Sequence, residues 1–313
     1  MSFAEFLLAT GNEQLVTLMQ KGDWPLIHTF ASDYIRHLRT YFYVGGMPEA
    51  VELFADTRDY EAVRVVQLNL LNAYRGDFSK HAPSVSLPNL NLVWDSVPQE
   101  LAKENKRFVY GEVYEGARRK HLEFPLRWLQ DAGLIIPVPR VKTPSLPMSS
   151  YWAAGISKVF VLDVGLLSAA CELDAGTLLD GDAVFDDFKG ALTEQFVQQE
   201  LRADCGLSPC YWASEEKNAK AEIDFLCTVR GNIVPIEVKS GRNAQAKSLH
   251  VYCQRFQPKQ AVRTSLNPVC RNEIPFKKPE YNHKSATLLD LPLYALSRLR
   301  EELLNATNSS ESE

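Results

Sequence analysis

Apolar residues recur at helical spacing through the first third of the chain. Phe3, Phe6 and Leu7, then Leu15 and Leu18, flank a break at Gly11-Asn12. Ile27, Phe30, Tyr34, Ile35, Leu38, Tyr41 and Phe42 form one stripe over residues 26–43, ended by Gly45-Gly46 and Pro48. A further helix is expected from Tyr60 to Tyr74, stopping at Gly76. The Pro-rich stretch Pro83 to Pro98 reads as a connection holding one short element. Residues 99–141 then predict a helix around Leu101, a second near Gly111 and a third from Leu122 to Ala132, before the apolar run LIIPVP. Helix, turn, helix and β-ribbon in that order suggest a winged helix-turn-helix over 99–150.

Beyond a Pro- and Ser-rich boundary at 142–155 the period changes. Val159 to Asp163 (VFVLD) is a short buried strand. Its Asp looks like the end of a Walker B strand, but the chain has no GxxxxGK[ST] and not even a Gly-Lys dipeptide, so no ATP site exists for it to serve. Asp163 is expected instead to cap the turn into Val164-Gly165-Leu166-Leu167. Gly190 to Ala203 is a helix with Glu194, Val197 and Leu201 on one face, so Glu194 must meet a cation or bear a desolvation cost. Tyr211-Trp212-Ala213 is a strand. Glu222–Val229 and Ile233–Lys239 alternate as strands around the turn RGN, which makes a hairpin. Glu237 and Lys239, two residues apart, share a face, and Asp224 lies on the neighbouring strand. Two carboxylates so placed can hold a divalent cation such as Mg2+, with the lysine orienting a water or meeting charge on a phosphate oxygen. The alternative is a surface salt-bridge ladder of the same three groups.

Composition changes this picture little, and charge distribution changes it more. With 313 residues, 45% of them apolar and 23% charged, the chain suits two or three domains. Its net charge of −5 argues against a wholly basic nucleic-acid binder. That average hides twelve acids and two bases over 163–216, then nine bases and three acids over 217–263. Arg118, Arg119 and Lys120 in the first half, and Lys247 and Arg255 on a helix from Gln245 to Phe256, are the candidate nucleic-acid contacts. Each could also be a solvated helix face. Six cysteines without a CxxC suggest free thiols and a cytoplasmic protein. Glu5 interrupts any signal-peptide core, and no run of eighteen apolar residues exists to cross a membrane.

Glu194, Asp224, Glu237 and Lys239 on a helix and a strand hairpin resemble the PD-(D/E)XK nuclease superfamily. The segments MSFAEFLLATG, YFYVGGMPEAV, YRGDFSKH, LRWLQDAGLIIPV, VFVLDVGLL, GALTEQFVQQEL, AEIDF, PIEVKSG and DLPLYAL, in this order, resemble the C-terminal part of bacterial and archaeal AAA-type ATPases that carry an uncharacterised nuclease-like domain. The resemblance implies an α/β fold: a helical region over 1–98, a winged-helix region over 99–150, and over 151–313 a restriction-endonuclease-like mixed sheet flanked by helices. It also implies a metal-dependent, DNA-associated phosphodiesterase with Asp224 and Glu237 as magnesium ligands and Glu194 and Lys239 completing the site. Members of that family carry a P-loop domain that this sequence lacks. The chain is therefore expected to be a truncated product or excised piece. On that view its site would be active alone, or idle until a partner protein supplies the ATPase. A remnant of this kind would expose Phe3, Phe6 and Leu7 at its N-terminus.

Overall fold

The structure is a computed structural model and describes residues 1–102, 107–176, 186–215, 221–241, 246–279 and 284–309. It is an α/β protein: an N-terminal helical region followed by an eight-stranded mixed sheet flanked by helices. The helices are α1 (Phe3–Ala9), α2 (Glu13–Lys21), α3 (Trp24–Thr29), α4 (Ala31–Val44), α5 (Pro48–Thr57), α6 (Tyr60–His81), α7 (Leu87–Ala102), α8 (Tyr110–Val113) and α9 (Arg119–Asp131). Strands β1 (Ile135–Val141) and β2 (Trp152–Val161) precede α10 (Val164–Ala170) and α11 (Asp186–Ala203). The remainder is β3 (Cys210–Ala213), β4 (Glu222–Val229), β5 (Asn232–Val238), α12 (Lys247–Phe256), β6 (Gln260–Ser265), β7 (Cys270–Pro275), β8 (Ser285–Pro292) and α13 (Leu299–Ser309). Two compact units form, both discontinuous in sequence. One comprises Met1–Asn12, Arg36–Val138 and Gly155–Gln199, and the other Glu13–Ile35, Pro139–Ala154 and Glu200–Glu313.

Several helices depart from their sequence expectations for identifiable reasons. The stripe over 26–43 is two helices, α3 and α4, because Phe30 leaves helical geometry (φ −93°, ψ 17°) and is 39% exposed. Helix α6 runs through Gly76 to His81. Its last turns are held by Phe78, which is fully buried and edge-on to Trp94 and Trp128. The Pro-rich connection is helix α7. Leu90, Val93, Trp94, Val97 and Leu101 are all buried at helical spacing. Burying five such side chains contributes roughly 1.5–3 kcal/mol each, which outweighs the roughly 3 kcal/mol penalty of Pro98 inside the helix.

The first unit is organised around aromatic rings and one buried carboxylate. Phe3, Phe6 and Leu7 are buried, not exposed as expected of a remnant. Phe3 lies 5.6 Å from the Tyr41 ring and 6.2 Å from that of Phe196, while Phe6 meets Tyr41 at 5.2 Å. Asp163 caps α10, as its sequence position suggests, accepting from the N–H groups of Gly165 (2.9 Å) and Leu166 (3.1 Å). It also accepts from the N–H of Gly46 at 2.7 Å and from Gln199 Nε2 at 3.2 Å. Burial pushes the Asp163 carboxyl above its ordinary pKa, and the N–H groups of Gly46 and Leu166 oppose that rise. The backbones meet closely here. A Cβ on Gly165 would lie 2.5 Å from the Val44 carbonyl oxygen and 2.6 Å from the Gly45 nitrogen.

The second unit is built on the sheet, whose full strand order is β2-β1-β3-β4-β5-β6-β8-β7. Strands β1, β5 and β6 pair parallel with β3, β6 and β8 respectively, and β4 is antiparallel to both β3 and β5. Strands β1, β3, β5, β6 and β8 therefore all run one way, with their carboxyl ends at one edge. The β4–β5 hairpin turns on Arg230 and Gly231, both at positive φ (46° and 73°), as a two-residue loop between Val229 and Asn232 requires. Trp212, Tyr252, Leu249, Ile223 and Leu226 are among the buried side chains packed between the sheet and α12. The six cysteines are free thiols, and burial pushes that of Cys171 up to about 11.

Alanine at Gly165 is expected to cost about 3 kcal/mol in chemical denaturation, because rigid backbone must shift. Alanine at Gly76, where a Cβ meets nothing within 4 Å, should add up to about 1 kcal/mol. The reverse ranking would show that the Gly45–Gly165 contact is not close in solution.

Candidate functional site

At its carboxyl edge the sheet gathers Asp224, Glu237 and Lys239. The β4–β5 ladder pairs residues 225–229 with 232–236, from Val229↔Asn232 to Phe225↔Ile236. Beyond it, the Val238 N–H is bonded by the Asp224 carboxylate, with Oδ2 at 2.8 Å. The β3–β4 register shifts over the same residues: Cys210 faces Leu226 but Trp212 faces Ile223, so β4 carries one extra residue around Asp224. Such a bulge bends the strand and re-aims its side chain, which is why the Asp224 carboxylate reaches a main-chain donor of the next strand.

Glu237 is 4% exposed despite its charge. Lys239 Nζ donates to its Oε1 at 2.6 Å, a charge-assisted bond within one strand face. The Lys239 backbone N–H bonds the Thr264 carbonyl at 2.8 Å, which fixes the strand that carries both side chains. The structure thus brings three of the four expected residues together, with the lysine already on one carboxylate.

The fourth, Glu194, belongs to the other unit, on α11. Of the two outcomes its sequence position allowed, a cation or a desolvation cost, it meets a cation: Lys158 on β2, with Nζ 3.2 Å from Oε2. The Lys158 side chain is 1% exposed and that of Glu194 11%. The same helix satisfies the main chain beside it. Gln195 accepts from the Val161 N–H at 3.0 Å and donates to the Val161 carbonyl at 2.8 Å, and Gln199 accepts from the Val164 N–H at 3.0 Å.

Two residues missed in the sequence complete the row beside Glu237. In the register of the parallel strands Glu237 neighbours Arg263, and Arg263 neighbours Asp290. Arg263 and Asp290 form a two-pronged pair, Nη2 lying 2.7 Å from Oδ2, and Asn272 Nδ2 donates to the same Oδ2 at 3.2 Å. The available signal was a carboxylate between two leucines in the segment DLPLYAL, and a strand arginine counted only as part of a basic stretch.

Of the candidate nucleic-acid contacts, Arg118, Arg119, Lys120, Lys247 and Arg255 are all exposed. Arg119 is bound to Glu123 at 3.0 Å, and Arg255 lies over the Phe256 ring at 5.3 Å and the Trp212 ring at 5.9 Å. Lys120, Phe124 and Arg127 fall at helical spacing on α9, with Phe124 49% exposed. Helix α12 is described from Lys247; the expected start at Gln245 lies outside the described residues.

Magnesium binds proteins through one or two carboxylates together with water and substrate phosphates, and Asp224 and Glu237 supply that hard-oxygen donor set on adjacent strands. Among the described residues no group of three or more His, Cys, Asp or Glu side chains is placed to hold a metal ion. Among the described residues, a metal held here would have Asp224 and Glu237 as its carboxylates. Among the described residues no helix is long and apolar enough to cross a membrane.

Two families match parts of the chain. Residues 35–177 match a domain of unknown function, DUF8612. Residues 189–281 match another domain of unknown function, DUF4143. No curated protein and no solved structure matches.

Replacing Lys158 alone with Met should cost about 3–5 kcal/mol, since it leaves the Glu194 charge buried without its ion-pair partner. The double change Lys158→Met with Glu194→Leu should recover most of that loss in denaturant titration. Equal losses in the single and double variants would show that the two charges are not coupled.

Proposed function

We propose that the chain is a metal-dependent phosphodiesterase of the PD-(D/E)XK kind acting on DNA. The observation that carries this reading is the meeting of Asp224, Glu237 and Lys239 at the carboxyl edge of a mixed sheet, where open α/β sheets bind their ligands. Asp224 and Glu237 would hold the ion through carboxylate oxygens. Magnesium bound there would polarise a phosphate oxygen and lower the pKa of a bound water. Lys239, moved from Glu237 onto that water, would orient it toward phosphorus and meet the charge that develops on the phosphate. Water would add to phosphorus and release a proton to solvent as the bridging P–O bond breaks, and the departing sugar oxygen would take a proton from solvent. The proposal rests on these three residues, because Glu194 is ion-paired with Lys158.

A second reading is favoured by the Lys239–Glu237 contact of 2.6 Å. Here the site is a salt-bridged remnant, and the protein is a catalytically idle nucleic-acid or protein-binding module that works with a partner bearing an ATPase domain. The match to DUF4143 over residues 189–281 is consistent with either reading.

The two readings separate in a cleavage assay with magnesium or manganese on single-stranded, duplex and supercoiled DNA and on RNA. The first expects metal-dependent cleavage that falls by about 100-fold or more in Asp224→Ala and Lys239→Ala, with their unfolding transitions unchanged. Nucleic-acid binding without cleavage of any form, unaffected by Asp224→Ala, would establish the second.

A further inference from the structure

Strand β7 ends the sheet: among the described residues no strand lies beyond it. Its six residues, Cys270–Pro275, pair antiparallel with β8 from Cys270↔Asp290 to Pro275↔Ser285 without a register shift. In the same register the Phe276 N–H donates to the Lys284 carbonyl at 2.8 Å. Hydrogen-bonding direction alternates along an antiparallel strand. Cys270, Asn272 and Ile274 therefore point their main chain at β8, while Arg271, Glu273 and Pro275 point theirs outward. Pro275 has no N–H, and its carbonyl accepts from Gln254 Nε2 at 2.8 Å, which closes that end of the edge. The Arg271 carbonyl is approached by the weak Cys270 thiol donor at 3.9 Å. Residues 270–273 are all exposed.

Edge strands are ordinarily protected by bulges, by Pro or by charge. Strand β7 has no bulge, and its two outward charges are of opposite sign, one on either side of Asn272. A second copy turned about a two-fold axis through Asn272 would place Arg271 opposite the partner's Glu273, and Glu273 opposite the partner's Arg271. Outward residues then face outward residues, the condition for each pair to exchange both of its main-chain hydrogen bonds. Arg271 Nη2 already donates to Glu302 Oε2 at 2.8 Å, and Glu273 Oε1 accepts from the Thr287 hydroxyl at 3.1 Å. Those bonds leave Nη1 and Oε2 for the cross-strand pairs. A foreign strand would need Glu and Arg at the two facing positions in reverse order; a second copy carries them.

We propose that β7 pairs antiparallel with β7 of a second copy, centred on Asn272, so that two sheets join as one across a symmetric dimer. The pairing is independent of the phosphodiesterase reading. So short a contact belongs with small, transient interfaces, so the expected state is a concentration-dependent equilibrium and not a permanent dimer.

Sedimentation velocity of the full chain, over a concentration series up to about 300 μM, should show monomer and dimer in equilibrium. Glu273→Arg and Arg271→Glu should each raise the dimer Kd about tenfold or more, because like charges then face each other twice. Mixed in equal amounts, the two variants should recover the dimer, since each supplies the charges the other lacks. Asn272→Cys in a Cys270→Ser background should cross-link under oxidation, because the two facing residues of a non-hydrogen-bonded pair sit about 4.5 Å apart at Cα. Glu273→Cys in the same background, about 7–8 Å from its own counterpart, should not. Unfolding transitions matching that of the native chain control for misfolding of each variant. A monomer at every concentration overturns the proposal. So does a dimer that ignores both charge reversals and gives no Asn272→Cys cross-link, because the copies then meet at another surface.

Discussion

A buried backbone N–H must find an acceptor, and at Val238 that acceptor is a side chain. The β4–β5 ladder ends at Phe225 and Ile236, and past that point the Asp224 carboxylate takes the Val238 N–H at 2.8 Å. This bond holds Asp224 at the end of its strand, next to the strand that carries Glu237 and Lys239. The extra residue in β4 makes the arrangement possible, and the parallel order of β5, β6 and β8 extends it. Glu237, Arg263 and Asp290 fall side by side because their strands share one register. Charge alternates along that row, which is how two carboxylates only a few per cent exposed are accommodated in one face.

The first unit meets a different constraint with similar means. Where the chain leaves β2 and enters α10, the Val161 and Val164 N–H groups are taken by Gln195 and Gln199, and Asp163 takes those of Gly165 and Leu166. The segments VFVLDVGLL and GALTEQFVQQEL thus belong together for a packing reason, and YFYVGGMPEAV joins them because the Gly46 N–H reaches Asp163. Glu194 on the same helix, bound to Lys158, fits this structural role. Through Gln195 and Gln199, one turn apart, that helix satisfies the main chain beside it.

Much of this was legible in the sequence where a local rule and the tertiary need agree. The hairpin around Arg230-Gly231, the Asp163 cap, and the need of Glu194 for a cation all follow from alternation, capping and burial cost. Helix α7 was not legible, because Pro98 reads as a breaker unless the burial of Leu90 to Leu101 is known. Phe3 and Phe6 looked exposable because their partners Tyr41, Phe54 and Phe196 are far away in sequence. Arg263 and Asp290 were hidden for the same reason. Their meaning lies in the register of strands β5, β6 and β8, and parallel pairing across long connections leaves no short-range signal. The division into units was equally hidden, since each is assembled from three separate stretches.

If the Asp224–Glu237 pair is a cation site whose lysine is displaced on binding, a crystal of the protein soaked in manganese should show an anomalous peak bonded to a carboxylate oxygen of Asp224 and of Glu237, at about 2.0–2.2 Å, with Lys239 Nζ withdrawn from Glu237. Lys239 still seated on Glu237, with no peak between the two strands, would contradict it.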